Sequence, residues 1–172
     1  TTSPYFTCID ADDTFAGAFS LAILLRDLEQ NPSHCMVSGA FAEEHEGLNF
    51  IGHQMDLVWM FGKLYRRSFI DRFDIRFNST RANEDNGFNT LIRLCATEQE
   101  PIAFSQDNVY FWHSKADSIT RINNCEYSYN QSFVGYTENM IYAIKEAKKR
   151  NPFNGNISFW ATQTMFHLYT YY

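Results

Sequence analysis

The chain has 172 residues, of which 45% are hydrophobic and 20% charged, and its net charge is −6. This length suits one domain with a sizeable core, and the balance of apolar to charged residues favours a packed globule over a disordered chain. The longest basic run is Lys148-Lys149-Arg150, so the sequence indicates no clear surface for nucleic acid. We expect this run in the last turn of a helix, where it complements the helix dipole.

The cysteines and the apolar segments bear on the cell compartment. Cys8, Cys35, Cys95 and Cys125 show no zinc-like spacing, and we expect buried free thiols and a reducing environment. The sequence contains no signal peptide and no apolar run long enough to span a bilayer. These features predict a cytoplasmic protein, with peripheral attachment to a membrane left open.

The first half of the chain predicts strands alternating with helices. Tyr5–Ile9 is β-prone and ends in the acidic cluster Asp10-Ala-Asp-Asp13. Phe15–Glu29 predicts a helix whose inner face carries Phe15, Phe19, Ala22, Ile23 and Arg26. Cys35–Phe41 predicts a strand, and an acidic loop follows at residues 43–47. Residues 51–70 are apolar and mixed in period.

The second half continues this alternation. Asp74–Phe77 predicts a short strand, and Glu84–Cys95 a helix with Phe88, Leu91, Ile92 and Cys95 on its buried face. Ile102–Trp112 alternates like a strand. Gln131–Arg150 and Asn156–Tyr171 predict two further helices, separated by Pro152 and Gly155. Such alternation predicts an α/β layered domain.

Two pairs of carboxylates offer candidate chemistry. Asp10 and Asp12 follow an apolar strand, and hard oxygen ligands of this kind suit Mg²⁺ or Mn²⁺ together with a substrate's phosphates. Asp13 lies before a helix, and we expect it to cap that helix. Glu84 and Asp85 open a later helix, where acidic residues also complement the dipole. One pair could hold a metal while the other abstracts a proton.

Four segments, in order, carry a resemblance to a known family. They are Pro4-Tyr-Phe-Thr-Cys-Ile-Asp-Ala-Asp-Asp13, Trp59-Met-Phe-Gly-Lys-Leu-Tyr-Arg-Arg67, Ile75-Arg-Phe77 with Asn83-Glu-Asp-Asn-Gly-Phe88, and Tyr110-Phe-Trp-His113 with Ser118-Ile-Thr-Arg121. Together they resemble the aspartate motif, the Trp-Gly-Lys-Leu-Tyr-Arg-Arg stretch, the acceptor-base block and the closing block of family 2 glycosyltransferases. Two residues are inserted after Trp59, and His113 stands where that family commonly has Arg.

The resemblance implies a role for each matching residue. Asp12 would be the main metal ligand, Asp10 would contact the nucleotide or diphosphate and assist with the metal, and the metal would be Mn²⁺ or Mg²⁺. Asp85 would be the general base that deprotonates the acceptor hydroxyl, with Glu84 beside it. The other donor-binding residues implied are Asp13, Lys63 and His113. The activity would be inverting transfer of a sugar from a nucleotide-diphosphate donor to an unidentified hydroxyl acceptor.

The resemblance also implies a fold. It is the GT-A, Rossmann-like fold, a mixed sheet with flanking helices, in which this chain would begin after the first nucleotide-binding strands. Residues 1–125 would form the C-terminal part of the catalytic domain, and residues 126–172 would be helices packed on it. Tyr5–Ile9 would be a central strand without its neighbours, which predicts self-association of the isolated chain.

Two other interpretations stay open. Ile9-Asp-Ala-Asp-Asp-Thr14 also fits the nucleophile motif of haloacid-dehalogenase-type phosphatases, with Asp10 as nucleophile and Asp12 as acid/base. Ser38, Lys63 and the Glu84-Asp85 pair would then fill the later motifs. The third interpretation is a half-domain that binds sugar or a partner without catalysis.

Overall fold

A computed structural model describes residues 2–45, 49–80, 82–115 and 133–171. Within these ranges the protein is a mixed α/β structure with six strands and five helices. The strands are β1 (Tyr5–Phe6), β2 (Thr14–Phe15), β3 (Met36–His45), β4 (Asn49–His53), β5 (Lys63–Arg66) and β6 (Ile102–Trp112). The helices are α1 (Ser20–Glu29), α2 (Arg67–Arg72), α3 (Glu84–Cys95), α4 (Phe133–Arg150) and α5 (Asn156–Tyr171).

The described chain divides into two compact units. The first contains residues up to Arg72 together with those from Ala96 to Lys115, and it holds all six strands, α1 and α2. The second contains Phe73–Cys95 and the residues from Phe133 onward, and it holds α3, α4 and α5. The domain boundary expected at residue 125 lies outside the described residues.

The first unit is built on one mixed, strongly curled sheet. Its strand order is β1-β5-β3-β6-β2, and β4 pairs with β3 outside this path. The β3–β6 pair is parallel, whereas the other pairs are antiparallel. The long strands β3 and β6 are therefore the centre of the sheet, and β6 brings its C-terminal end beside β2, directly after the acidic cluster.

Helix α1 covers the apolar core of this unit. Leu24 and Leu28 on α1 pack with Val37, Phe41, Val109 and Tyr110 of the sheet. Gly62 enters β5 with φ of +62°, a left-handed conformation that glycine adopts at little cost. Its carbonyl accepts a hydrogen bond from the N–H of Gly39 at 2.9 Å, which closes β5 against β3.

The second unit is a layer of three helices. Helix α3 packs on α4, and α4 packs on α5. Gly87 allows the close approach of α3 and α4, since a Cβ there would lie 2.7 Å from Oδ1 of Asn139. The Nδ2 of buried Asn139 has three acceptors, which are Thr80 Oγ1, the carbonyl of Ala82 and that of Gly135. Asn139 thereby fastens the residues that precede α3 to α4.

Several predicted elements are confirmed. The bounds of α3, β6 and α5 agree with the sequence analysis. Phe88, Leu91, Ile92 and Cys95 are buried as their helical spacing predicts. Lys148, Lys149 and Arg150 occupy the last turn of α4. The broad prediction of an α/β protein is confirmed as a mixed α/β structure, but the strict alternation is not, because β3, β4 and β5 follow one another without a helix between them.

Other local predictions are wrong. The helix predicted from Phe15 begins at Ser20, because Thr14 and Phe15 pair with β6. Its buried residues are Ser20, Leu24 and Leu28, rather than the predicted face. The predicted acidic loop is strand at residues 43–45, because β4 supplies hydrogen-bonding partners there; residues 46–48 lie outside the described ranges.

The two short strands predicted around acidic residues also need correction. Residues 74–77 form no strand, since Asp74 has a left-handed φ of 45° and Phe77 stacks on Phe88 at 4.3 Å. Tyr5–Ile9 forms a strand only at Tyr5–Phe6. This strand lies at the edge of the sheet, paired with β5, and not at its centre.

Candidate functional site

The acidic cluster after β1 is a tight turn with a buried anchor. The backbone N–H of Asp13 donates to the carbonyl of Asp10 at 3.1 Å, which closes the turn. The Asp13 side chain is buried, and both of its oxygens are bound. Oδ2 accepts from the hydroxyl of Tyr110 at 2.7 Å, and Oδ1 accepts from the backbone N–H of His113 at 2.9 Å. The prediction that Asp13 caps the next helix is therefore wrong, since that helix starts at Ser20 without a side-chain cap.

Tyr110 connects this turn to the core. Its ring is fully buried and stacks on Phe61 with centroids 5.1 Å apart. Its hydroxyl donates to Asp13 and lies 3.3 Å from the backbone N–H of Asp10, from which it accepts. Burial, and then the hydrogen bond to Asp13, raise the pKa of Tyr110. The hydroxyl thus keeps its proton at neutral pH. Through its hydrogen bonds to Asp13 and Asp10 it links the turn to the core.

Asp10 and Asp12 are exposed on this anchored turn. Oδ2 of Asp12 lies 3.3 Å from the ammonium of Lys115, which follows β6. The pKa of Asp12 is lowered, first by a hydrogen bond from its own backbone N–H and then by the hydrogen bond from Lys115. The turn therefore presents two carboxylates to solvent, one of them beside a cation.

His113 is fixed in orientation at the end of β6. Its Nδ1 lies 3.1 Å from Oε2 of Glu44, and its Nε2 lies 2.8 Å from Oγ1 of Thr14. Because the Glu44 carboxylate only accepts, Nδ1 carries the hydrogen of that bond, and the Thr14 hydroxyl is the partner of Nε2. Glu44 also accepts from the backbone N–H of Ser114 at 3.1 Å. One glutamate therefore holds both the ring and the backbone that follows it.

Lys63 lies inside the protein rather than on the exposed turn. Its side chain is 0% exposed, and its ammonium pairs with Oδ1 of Asp56 at 3.1 Å. The same Asp56 oxygen accepts the backbone N–H groups of Val58 and Trp59, and the Ser38 hydroxyl donates to the Asp56 carbonyl at 2.7 Å. Lys63 and Ser38 thus organise the segment that leads into Trp59. A direct role of Lys63 in donor binding stays a prediction.

Glu84 and Asp85 begin α3 in the second unit. Glu84 is exposed, whereas Asp85 is half-buried and its Oδ1 accepts the backbone N–H of Asn86 at 2.7 Å. Asp85 precedes the buried Phe88 and Asn89 by three and four residues, so it lies on their side of the helix. The two carboxylates therefore differ in orientation, as helical spacing predicts. Their assignment as base and neighbour stays a prediction.

The exposed turn has the chemistry of a divalent-cation site. In the described ranges no three His, Cys, Asp or Glu side chains gather into a metal-binding group. Mg²⁺ sites commonly use only one or two protein carboxylates, with water and substrate phosphate completing the shell. Asp10 and Asp12 are the exposed carboxylates of this turn that could supply one or two hard oxygen ligands of this type.

Segments far apart in the sequence meet around this turn. Trp59 and Phe61 pack against Trp112, at centroid distances of 5.3 and 5.0 Å, and Phe61 stacks on Tyr110. Three of the four segments that carry the family resemblance thus share one unit and one network. The third segment lies in the second unit, where Phe77 stacks on Phe88. Residues 118–121 of the last segment lie outside the described ranges.

Sequence reasoning missed several residues of this network. They are Thr14, Glu44, Tyr110 as the partner of Asp13, and Lys115. The only signal in the sequence that could have found Tyr110, Thr14 and Lys115 is that they lie within or next to the recognised motifs. Tyr110 belongs to a quoted segment, Thr14 follows Asp13, and Lys115 lies two residues after His113.

Comparisons with known proteins add no identification. A scan against protein-family models found no match to this chain, and a search of curated proteins found no match either. Among the residues that the structure describes, none of the helices combines the length and apolar content needed to cross a bilayer.

Proposed function

We propose that the protein is an inverting, metal-dependent glycosyltransferase of the GT-A type, which moves a sugar from a nucleotide-diphosphate donor to an acceptor hydroxyl. The observation that carries this proposal is the anchored turn. Asp13 is held on both oxygens by Tyr110 and His113, so Asp10 and Asp12 are presented to solvent on a rigid support. A pre-positioned pair of carboxylates binds a cation and diphosphate without having to order the chain first.

The order of the resembling segments also supports the proposal. The segments ending at Asp13 and Arg67 and the one from Tyr110 to His113 contribute to a single network, although up to 100 residues separate its hydrogen-bonded partners. A chance match of short segments would not require their side chains to pack together. The family's order along the chain and the shared network are separate arguments for the same function.

In the proposed reaction the acceptor oxygen attacks the anomeric carbon of the sugar. The bond from that carbon to the donor phosphate breaks, the nucleoside diphosphate leaves, and a carboxylate takes the acceptor's proton, a role that the family resemblance assigns to Asp85. When bound, Mn²⁺ or Mg²⁺ supplies positive charge for the leaving diphosphate. Asp12 and Asp10 would hold the ion, and the Lys115 ammonium, which lies beside Asp12, would be free to bind a phosphate oxygen once the ion takes its place there.

The phosphatase interpretation receives no support from Ser38 and Lys63. Both side chains are fully buried and bound to Asp56, so neither is available to a phosphate at Asp10 from solvent. The exposed Asp10 nevertheless makes that interpretation directly testable. A phosphatase would release inorganic phosphate from an aryl phosphate, and Asp10→Asn would abolish the release.

The experiment measures release of nucleoside diphosphate from a panel of nucleotide sugars, with Mn²⁺, with Mg²⁺ and with chelator. We expect one donor to be consumed only when a divalent ion is present, and Asp12→Asn to lose the activity. Asp71→Asn is the matched control, because Asp71 is an exposed aspartate in the same unit. Equal activity of both variants, phosphate release that depends on Asp10, or donor binding without turnover would each contradict the proposal.

A further inference from the structure

The outward face of α5 carries large apolar side chains among uncharged polar ones, which are Ser158, Thr162, Gln163 and Thr170. Phe159, Met165, Phe166 and Tyr169 are each more than half exposed, and residues 156–171 contain no Asp, Glu, Lys or Arg. A helix on the surface of a globular domain normally presents charged side chains to water. Helix α5 therefore exposes the kind of surface that most helices bury.

Contacts on the opposite face fix the rotation of α5. The Trp160 ring lies 4.6 Å from the guanidinium carbon of Arg93, and Thr164 is buried. The His167 ring lies 4.4 Å from the ring of Tyr136 and 5.1 Å from that of Phe133. Rotating α5 to hide its outer aromatic residues would break these contacts, so the aromatic face belongs to the folded unit.

The neighbouring helix α4 carries a cationic stripe. Lys145, Lys148 and Lys149 are exposed and lie at helical spacing on one face. Lys149 also pairs with Glu146 at 2.6 Å. Arg150 is turned inward and binds Glu146 and the carbonyl of Phe73. The stripe ends at Lys149 in the last turn of α4, four residues before Phe153, which is 97% exposed. Positive charge is concentrated here, in a chain whose net charge is −6.

We propose that the exposed apolar residues of α5, Phe153 and the three lysines of α4, which belong to two helices packed on each other, together dock on the surface of an anionic lipid bilayer. Aromatic side chains bind at the boundary between headgroups and acyl chains, and lysines bind anionic headgroups. At 16 residues, α5 is about 24 Å long, so it would lie in the plane of the interface. A second copy of the chain fits less well, because a two-fold contact through these residues would bury the lysines of both copies, and α5 supplies no carboxylate to pair with them.

Flotation with lipid vesicles tests the proposal on the purified protein. We expect it to float with vesicles that contain phosphatidylglycerol, and not with vesicles of phosphatidylcholine alone. The combined change Phe166→Ser and Tyr169→Ser should abolish flotation while leaving the far-UV circular dichroism unchanged, since both side chains are exposed. Phe50→Ser is the matched control, because Phe50 is also half exposed but lies on β4 in the other unit.

The lysines are tested separately. Changing Lys145, Lys148 and Lys149 to Gln should weaken binding by about fivefold per lysine, whereas changing all three to Arg should preserve it. The proposal is overturned if the protein does not float with anionic vesicles, or if it floats equally with both vesicle types. It is also overturned if flotation survives the aromatic changes, or if these changes instead convert an oligomer into a monomer in size-exclusion chromatography.

Discussion

Replacing Tyr110 with Phe removes one buried hydroxyl and keeps the shape of the ring. The lost hydrogen bond spans 2.7 Å to a buried carboxylate, so it belongs to the charge-assisted class. Such bonds contribute about 1.5–3 kcal/mol each, and their loss leaves the Asp13 oxygen without its donor in the interior. We therefore expect the free energy of unfolding to fall by about 2 kcal/mol, which corresponds to about 4–8 °C in Tm for a protein of this size.

The matched control is Tyr65→Phe. Tyr65 is also fully buried in the sheet, but its hydroxyl donates to the sulfur of Met60 at 3.3 Å, which is a weak acceptor. We expect this change to cost less than about 1 kcal/mol. Urea unfolding followed by circular dichroism measures both variants. If Tyr110→Phe were as mild as Tyr65→Phe, the Tyr110–Asp13 bond would not be the anchor of the turn.

Three further predictions follow from other parts of the molecule. Asp85→Asn should lower kcat by about 10²–10⁴-fold, as expected for a lost general base, with donor binding unchanged, whereas Glu84→Gln should be mild; a larger loss for Glu84→Gln would reverse the assignment. Hydrogen bonds from Lys149 and then Arg150 lower the pKa of Glu146 below its ordinary 4.5, so its stabilising effect is present above pH 4.5 and is lost as pH falls further. Urea unfolding should show Glu146→Gln to be less stable by about 0.5–1 kcal/mol at neutral pH, and a difference from wild type that persisted at pH 3 would contradict this. Burial raises the pKa of the Cys35 thiol to about 12 and that of Cys95 to about 11, so mass spectrometry after iodoacetamide treatment should find neither alkylated in the native protein; rapid modification of either would show that its site opens.

Helices and strands whose apolar residues follow a single clear period could be predicted from sequence. Elements that form only by pairing with a distant part of the chain could not. Helix α3 has one apolar stripe and was predicted with its bounds. Helix α1 has apolar residues on several faces, so its periodicity did not identify the face of Leu24 and Leu28 that is buried. Strand β2 has only two residues and exists because β6 pairs with it, and local sequence contains no signal for such a pairing.

The candidate site shows the same limit. Asp10 and Asp12 were recognisable because they follow an apolar segment and match a motif. The partners of Asp13 lie 97 and 100 residues away, so nothing near Asp13 distinguishes a buried anchor from a helix cap. The sequence also contained no sign that Lys63 is buried, because its partner Asp56 lies in a segment whose apolar residues follow no regular period. Motif matching therefore identified the exposed ligands better than the residues that support them.

The central claim is that Asp12, presented by the anchored turn, holds a divalent ion together with the donor diphosphate. Electron paramagnetic resonance of Mn²⁺ tests this directly, because free aqueous Mn²⁺ gives a strong signal that broadens on binding. The titration is made with UDP, GDP, CDP and dTDP in turn, for the wild type, Asp12→Asn and the Asp71→Asn control. We predict that one nucleotide supports Mn²⁺ binding to the wild type and the control but not to Asp12→Asn. Undiminished binding to Asp12→Asn with that nucleotide would contradict the account.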